Sequence, residues 1–125
     1  MAWNDPRPMS PHLQIYKLPF TAKLSIMHRG TGAVLFAGLI LIVLILLSIA
    51  SGADSWAIMQ TFLSSFIGKF ILFGFTFSLY YHMCNGIRHL FWDIGKGLEL
   101  EDAKKSGLIV IGASIFLTLL TWIIA

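Results

Sequence analysis

An uncharged apolar run, AVLFAGLILIVLILLSIA at residues 33–50, most limits what this chain can fold into. A helix of roughly 20 apolar residues crosses the hydrocarbon core of a bilayer, and with its flank this run gives a span at about residues 28–50. Two further stretches, at about residues 59–89 and 106–125, have the same apolar character. The sequence therefore predicts an all-α membrane protein with three transmembrane helices.

The first 21 residues differ from the rest, because they are polar and hold all 4 prolines of the chain. Prolines interrupt helices, so we expect residues 1–21 to form an extended cytoplasmic segment and residues 22–125 to form the transmembrane domain. The segment lacks the apolar core and small-residue cleavage site of a signal peptide. We therefore expect the first long helix to direct the chain to the membrane.

Composition excludes several classes of protein. Hydrophobic residues make up 57% of the chain and charged residues 12%, which is more apolar surface than a soluble domain of this size can bury. The formal charge of +3 does not indicate a nucleic-acid partner, because the basic residues lie between the apolar runs. A single cysteine, Cys84, excludes an internal disulfide and a cysteine-rich metal site.

Lysines and arginines predict the orientation of the chain. Three of them precede the first span and Arg29 lies at its start, three lie in the connector after the second span, and the connector between the first two spans has none. Basic residues concentrate in cytoplasmic loops, so we expect the N-terminus to be cytoplasmic and the C-terminus to face outward. The start of the first helix and the end of the second then meet at the same membrane surface.

Two polar clusters occupy these two helix ends. Ser25, His28, Arg29 and Gly32 are spaced i, i+3, i+4 and i+7 and so share one helical face. A second set with helical spacing is made by three residues of the second span, His82, Gly86 and His89. Polar groups at membrane depth are costly, so they usually face a cavity or a partner.

His82 is the deepest of these residues, about 16 Å along a helix from Asp93. Neutral imidazole is a standard axial ligand of haem iron, and Gly86 would let a flat macrocycle approach the helix. We expect His28 and His89 to lie one or two turns nearer the surface, where Arg29 could pair with propionates. The second axial ligand would come from another chain, in a heteromeric helix bundle.

Simpler interpretations stay open at this point. A histidine in a membrane helix more often hydrogen-bonds a neighbouring helix than binds a metal. His28, Arg29 and Arg88 could be interfacial anchors whose ends reach the headgroups, and Lys69 could extend outward or face a partner helix. The glycines could serve only close helix packing.

Three motifs resemble one family. The sequence SIMHRGTG at residues 25–32 resembles the SxxHRxTG signature of succinate dehydrogenase cytochrome b556 subunits. The sequence HMCNGIRHLFWD at residues 82–93 resembles their HxxxGxRHxxxD signature, and residues 7–17 are similar to their N-terminal segment. The resemblance extends over the whole chain in motif order, length and number of spans.

The resemblance implies a role for each motif residue. His82 corresponds to the axial ligand of haem b, and His28, Arg29 and His89 to residues near its propionates. The wall of a ubiquinone pocket would be formed by residues of the first motif, Ser25, Ile26 and Arg29. The implied partners are a second membrane anchor that shares the haem, an iron–sulfur subunit that delivers the electrons, and a flavoprotein.

The expected location is the bacterial inner membrane, because no presequence of a nuclear-encoded mitochondrial protein precedes the first motif. Such a subunit has no catalytic activity alone. A fumarate reductase anchor and a haem-free structural anchor remain alternatives, and a transporter subunit is disfavoured by the lack of inverted repeats.

Overall fold

The computed structural model describes residue 6 and residues 17–125. This part of the chain forms four helices and no strand: α1 (Phe20–Ala50), α2 (Ala53–Ser64), α3 (Phe66–Asp93) and α4 (Leu100–Ile124). The predicted all-α fold is therefore confirmed. Most of the expected N-terminal segment, including the motif at residues 7–16, lies outside the described residues.

Two of the helices, α1 and α4, are long and apolar enough to cross a membrane by themselves. A third span is available if α2 and α3 are counted together as one bent segment. Both α1 and α4 begin before the expected starts of their spans, at Phe20 and Leu100, because their polar first turns continue the helix beyond the apolar stretch.

A sharp bend separates α2 from α3 and falls within the expected span at about residues 59–89. The two helix axes meet at 77° at Ser65, whose backbone is extended. The Ser65 hydroxyl accepts a hydrogen bond from the amide of Gly68 at 3.1 Å, which is an N-cap that starts a new helix. A side chain at Gly68 would overlap the carbonyl oxygen of Phe62, so only glycine fits this corner. The exposed Lys69 lies in the first turn of α3, 13 residues before His82.

Helix α3 packs against both α1 and α4. The ring of Phe75 lies directly on Gly38 of α1, and Leu24 lies on Gly107 of α4, so that a Cβ at either glycine would overlap its neighbour. These glycines leave room for large side chains of the neighbouring helices, a use of small residues that is common where helices pack in lipid. The fold thus fixes how α1 and α4 sit on either side of α3.

The buried core is small. Leu24, Tyr81 and Val110 form its cluster of buried residues, and the Tyr81 hydroxyl donates a hydrogen bond of 2.7 Å to the Leu24 carbonyl oxygen. Many large apolar side chains on all three long helices are exposed, including Phe36, at 69%, and Phe70, at 71%. A surface of this kind requires lipid or partner helices to cover it.

Candidate functional site

Three histidines from α1 and α3 lie together. The rings of His28 and His82 are stacked, with centroids 3.9 Å apart and planes 9° from parallel. The ring of His89 also stacks with that of His28, with centroids 5.3 Å apart and planes 25° from parallel. The two helices therefore bring all three predicted histidines into one cluster, which we call the histidine stack.

The hydrogen bonds of His82 define its tautomer. Its Nδ1 lies 3.2 Å from the carbonyl oxygen of His28 and 3.3 Å from the hydroxyl of Thr31. A carbonyl oxygen can only accept, and the Thr31 hydroxyl already donates to that same oxygen at 2.9 Å. Nδ1 therefore carries the proton and donates it, which leaves the lone pair on Nε2.

The space around His82 is unequal on its two sides. A Cβ at Gly32 would lie 3.2 Å from the Cε1 atom of His82, so α1 needs a small residue where the imidazole crosses it. One turn along α3, a Cβ at Gly86 would meet nothing within 4 Å. The imidazole is thus held on the α1 side, while the surface beside Gly86 is open.

The histidine stack is not a metal cage. Within the described part of the chain, no group of three or more histidine, cysteine, aspartate or glutamate side chains has the arrangement to hold a metal ion. Stacked imidazoles present ring faces to each other, whereas their lone pairs lie in the ring planes.

The structure brings the ring of His28 closer to that of His82 than an offset of one or two turns along the helices suggests. The 3.9 Å between their ring centroids places the two rings side by side. The depth of a residue on one helix relative to another depends on how the helices are shifted along their axes, and the sequence of either helix alone does not define this shift. His89 follows the expected order, because it lies two turns after His82 on α3.

The predicted quinone residues lie on the adjoining part of α1. Ser25 is half-buried, whereas Ile26 and Arg29 are exposed. Ser25 and Arg29 are four residues apart and so lie on one side of the helix, next to His28. Among the described residues, no hydrogen bond engages the Ser25 hydroxyl or the Arg29 guanidinium.

A family model decides the identity of the chain. The model described as the succinate dehydrogenase/fumarate reductase transmembrane subunit matches residues 4–121. The chain belongs to this family. The resemblance of its motifs is thereby confirmed.

Relatives of this anchor-family member carry matching names. It is 44% identical over 118 residues to the succinate dehydrogenase cytochrome b556 subunit of Paracoccus denitrificans, covering 94% of this chain and 91% of the relative. The cytochrome b560 subunit of Reclinomonas americana is 40% identical, with 97% of this chain and 88% of the relative covered. The mitochondrial cytochrome b560 subunit of Sus scrofa is 40% identical over 87% of this chain and 68% of its own length.

A second polar stripe in this anchor-family chain runs beside the histidine face of α3. Arg88 is 5% exposed, and its guanidinium donates to Ser106 at 2.9 Å, to Asn85 at 3.0 Å and to the Ala103 carbonyl oxygen at 2.9 Å. It also lies over the ring of Trp92, 4.2 Å from the centroid. Arg88 therefore joins α3 to α4, and the interpretation of it as an interfacial anchor was wrong.

The sequence does carry a signal for this stripe. Tyr81, Asn85 and Arg88 are spaced i, i+4 and i+7, the same spacing as His82, Gly86 and His89 shifted by one residue. Two adjacent polar stripes on one helix require two partners. Here Tyr81 of the buried stripe bonds to α1 and Arg88 bonds to α4, whereas His82 of the histidine stripe bonds to α1.

Proposed function

We propose that this chain is a haem b- and ubiquinone-binding membrane anchor subunit of a succinate dehydrogenase. One observation carries the proposal: His82 is held in the Nδ1-protonated form by the His28 carbonyl oxygen, beside the open surface at Gly86. An imidazole with one nitrogen tied to a carbonyl and the other bearing a lone pair is how proteins prepare a histidine for iron. Haem bound there supplies a carrier that accepts and returns one electron.

The residues around His82 fit such a ligand role. The ring of His28 covers one face of the imidazole and restricts its rotation, and Gly32 leaves the ring room to cross α1. Stacking leaves the in-plane lone pair of Nε2 accessible. His28 also has a buried Nδ1 atom without a hydrogen-bond partner within the described part of the chain, which a propionate or a bound water would satisfy.

Positive and polar groups flank this position toward the helix ends. Arg29 on α1 and His89 on α3 would hold the propionates, Arg29 by charge-assisted hydrogen bonds. Since His82 is the one suitably held histidine among the described residues, a second anchor subunit that packs along Gly86 would supply the other ligand to the iron. That arrangement would make haem binding depend on assembly of the two anchors.

The quinone proposal rests on the neighbouring face of α1. A quinone carbonyl oxygen becomes more basic as the ring is reduced, so hydrogen-bond donors there stabilise the reduced molecule. The Ser25 hydroxyl and the Arg29 guanidinium are donors that no described residue engages, and the exposed Ile26 would contact the ring. Electrons would reach this quinone from an iron–sulfur subunit, itself supplied by a flavoprotein subunit, at the cytoplasmic face of a bacterial inner membrane.

The absorption spectrum of the assembled complex tests the haem part of this proposal. We expect a reduced-minus-oxidised difference spectrum with the sharp α band of a low-spin cytochrome b. A purified complex that contains this chain, oxidises succinate and lacks such a band would identify a haem-free structural anchor instead. Succinate oxidation much slower than fumarate reduction in the same preparation would favour the fumarate reductase alternative.

The quinone site is tested by removing one hydroxyl. Ser25→Ala should lower quinone reduction by about two- to twelvefold, because one neutral hydrogen bond contributes about 0.5–1.5 kcal/mol. Haem content and subunit assembly should not change. Ser64→Ala, on the exposed side of α2, is the matched control. Unchanged quinone reductase activity in Ser25→Ala would remove this residue from the site.

Substitution of Arg29 distinguishes the loss of a charge near the haem from the loss of a ligand to the iron. Arg29→Leu should retain haem, because no iron bond is lost, but its midpoint potential should fall since a nearby cation favours the reduced form. Redox titration of the assembled complex measures this shift. A raised potential, or loss of haem, would contradict the assigned role.

A further inference from the structure

A groove between α3 and α4 lies away from the histidine stack. It has a volume of ≈ 480 Å³, within the range of about 300–1,000 Å³ that is typical of small-molecule sites. Its α3 wall begins at Cys84, which lies about 200° around the helix from His82. The lining residues are Cys84, Ile87, Arg88, Phe91, Trp92, Lys96, Gly97, Asp102, Lys105, Ser106, Ile109, Val110 and Ala113.

The groove has an apolar body and a cationic mouth. Its body is lined by the aliphatic and aromatic side chains of both helices, among which Phe91 and Ile109 are exposed at 54% and 69%. Lys96 follows α3 and Lys105 lies in the second turn of α4, so both stand where the two helices leave the apolar stretch. Together with Arg88, these lysines outnumber the single carboxylate at the mouth, that of Asp102.

We propose that this groove binds one phospholipid of the bilayer with an anionic headgroup. An acyl chain would lie along the apolar body, and the phosphate would be held by Lys96 and Lys105. Basic pockets between transmembrane helices commonly hold anionic headgroups, whereas the apolar walls alone would accept any lipid. Trp92 also lines the groove, and its indole is of the type that concentrates at headgroup level.

The arrangement of the helices favours a lipid over a partner helix. If His82 shares a haem with a second anchor, as proposed above, that anchor covers the open side at Gly86. The groove faces another direction on α3, beyond the buried Arg88 stripe. A partner helix at the groove would also have to place a negatively charged side chain beside two exposed lysines. A lipid phosphate carries this negative charge already.

Native mass spectrometry of the purified complex tests the headgroup contacts. Dioleoyl phosphatidylglycerol and dioleoyl phosphatidylcholine are added in turn, and the affinity of the tightest lipid adduct is compared. Lys96→Gln with Lys105→Gln should weaken phosphatidylglycerol binding roughly 30-fold, which corresponds to about 1 kcal/mol for each lysine. Lys105→Gln alone should weaken it about fivefold.

Lys104→Gln is the matched control for the lysine at position 105. The two lysines are adjacent and both exposed, and their substitutions change the net charge equally, but only Lys105 lines the groove. The proposal expects a clear difference between them. Equal effects of Lys104→Gln and Lys105→Gln would show that the lipid is attracted by the overall surface charge and not by a site in the groove, and would overturn the proposal.

A second pair tests the apolar body. Ile109→Trp should narrow the groove and weaken adducts of both lipids, while Leu108→Trp should leave them unchanged. Both positions are highly exposed, at 69% and 62%, so neither substitution disturbs the helix core. Equal binding of the two lipids to the unsubstituted complex, or no tight adduct at all, would overturn the proposal and point to a partner chain on this face. The haem spectrum should be unaffected in every variant, which separates this test from that of the proposed function.

Discussion

The buried guanidinium of Arg88 gives the sharpest prediction about stability. Arg88→Met keeps much of the side-chain volume but removes every donor that joins α3 to α4 at this level. Ser106 and the Ala103 carbonyl remain satisfied, because the Ser106 hydroxyl donates to that carbonyl oxygen at 3.1 Å. The Asn85 side chain, in contrast, is left without any hydrogen bond to a described residue. It is 0% exposed, its Oδ1 accepts only from Arg88 among the described residues, and its Nδ2 has no described partner.

The magnitude follows from these contacts. A buried polar group left without a partner costs about 1–3 kcal/mol. The two lost hydrogen bonds to α4 add roughly 0.6 kcal/mol each, the average measured between membrane helices. We therefore expect Arg88→Met to lower the free energy of unfolding by about 2–4 kcal/mol. Arg88→Met together with Asn85→Leu should be less destabilising than Arg88→Met alone, because removing both partners leaves no stranded amide.

The assay is unfolding of the chain in mixed detergent micelles by increasing SDS, followed by tryptophan fluorescence. Arg29→Met is the matched control, since it removes an exposed guanidinium that no described residue engages. It should change stability by less than about 0.5 kcal/mol. The reasoning is refuted if Asn85→Leu deepens the loss caused by Arg88→Met, because Asn85 would then be stabilising for a reason other than this pair.

Three further predictions concern the fold. Gly38→Leu should prevent α1 from packing on α3 and abolish assembly of the complex, whereas Gly74→Leu, with nothing within 4 Å, should assemble; blue native electrophoresis distinguishes the two. Ser65→Ala should lower the unfolding free energy by about 1 kcal/mol through loss of the N-cap, and Ser64→Ala by much less, in the same SDS titration. A reporter fused after Ala125 should behave as exported, and a cytoplasmic signal there would contradict the proposed orientation.

Much of the fold could be predicted from local pattern alone. The uncharged runs indicate membrane helices because lipid offers the backbone no hydrogen bonds, so an apolar segment of this length has few other conformations. The helical spacing of His82, Gly86 and His89 placed them on one face of α3, and the shared membrane surface brought His28 beside them. These inferences depend only on periodicity and on the thickness of a bilayer.

The remaining features depend on contacts between elements. The bend at Ser65 results from a serine N-cap and from Gly68, where only glycine leaves room for the Phe62 carbonyl oxygen. Hydropathy averaged over about 20 residues does not detect such a bend, because the residues on both sides of it are apolar. The burial of Arg88 depends on which side of α3 meets α4. The alignment of His28 with His82 depends on the axial shift of α1 against α3, which close packing at glycines defines.

The central claim is that Nε2 of His82 binds haem iron. The most direct measurement is the haem content and the reduced-minus-oxidised spectrum of the assembled complex with His82→Leu, compared with Met83→Leu, its exposed neighbour on α3. We expect His82→Leu to lose haem or to contain five-coordinate, high-spin haem, and Met83→Leu to retain the low-spin spectrum. Full occupancy by six-coordinate haem in His82→Leu would contradict it.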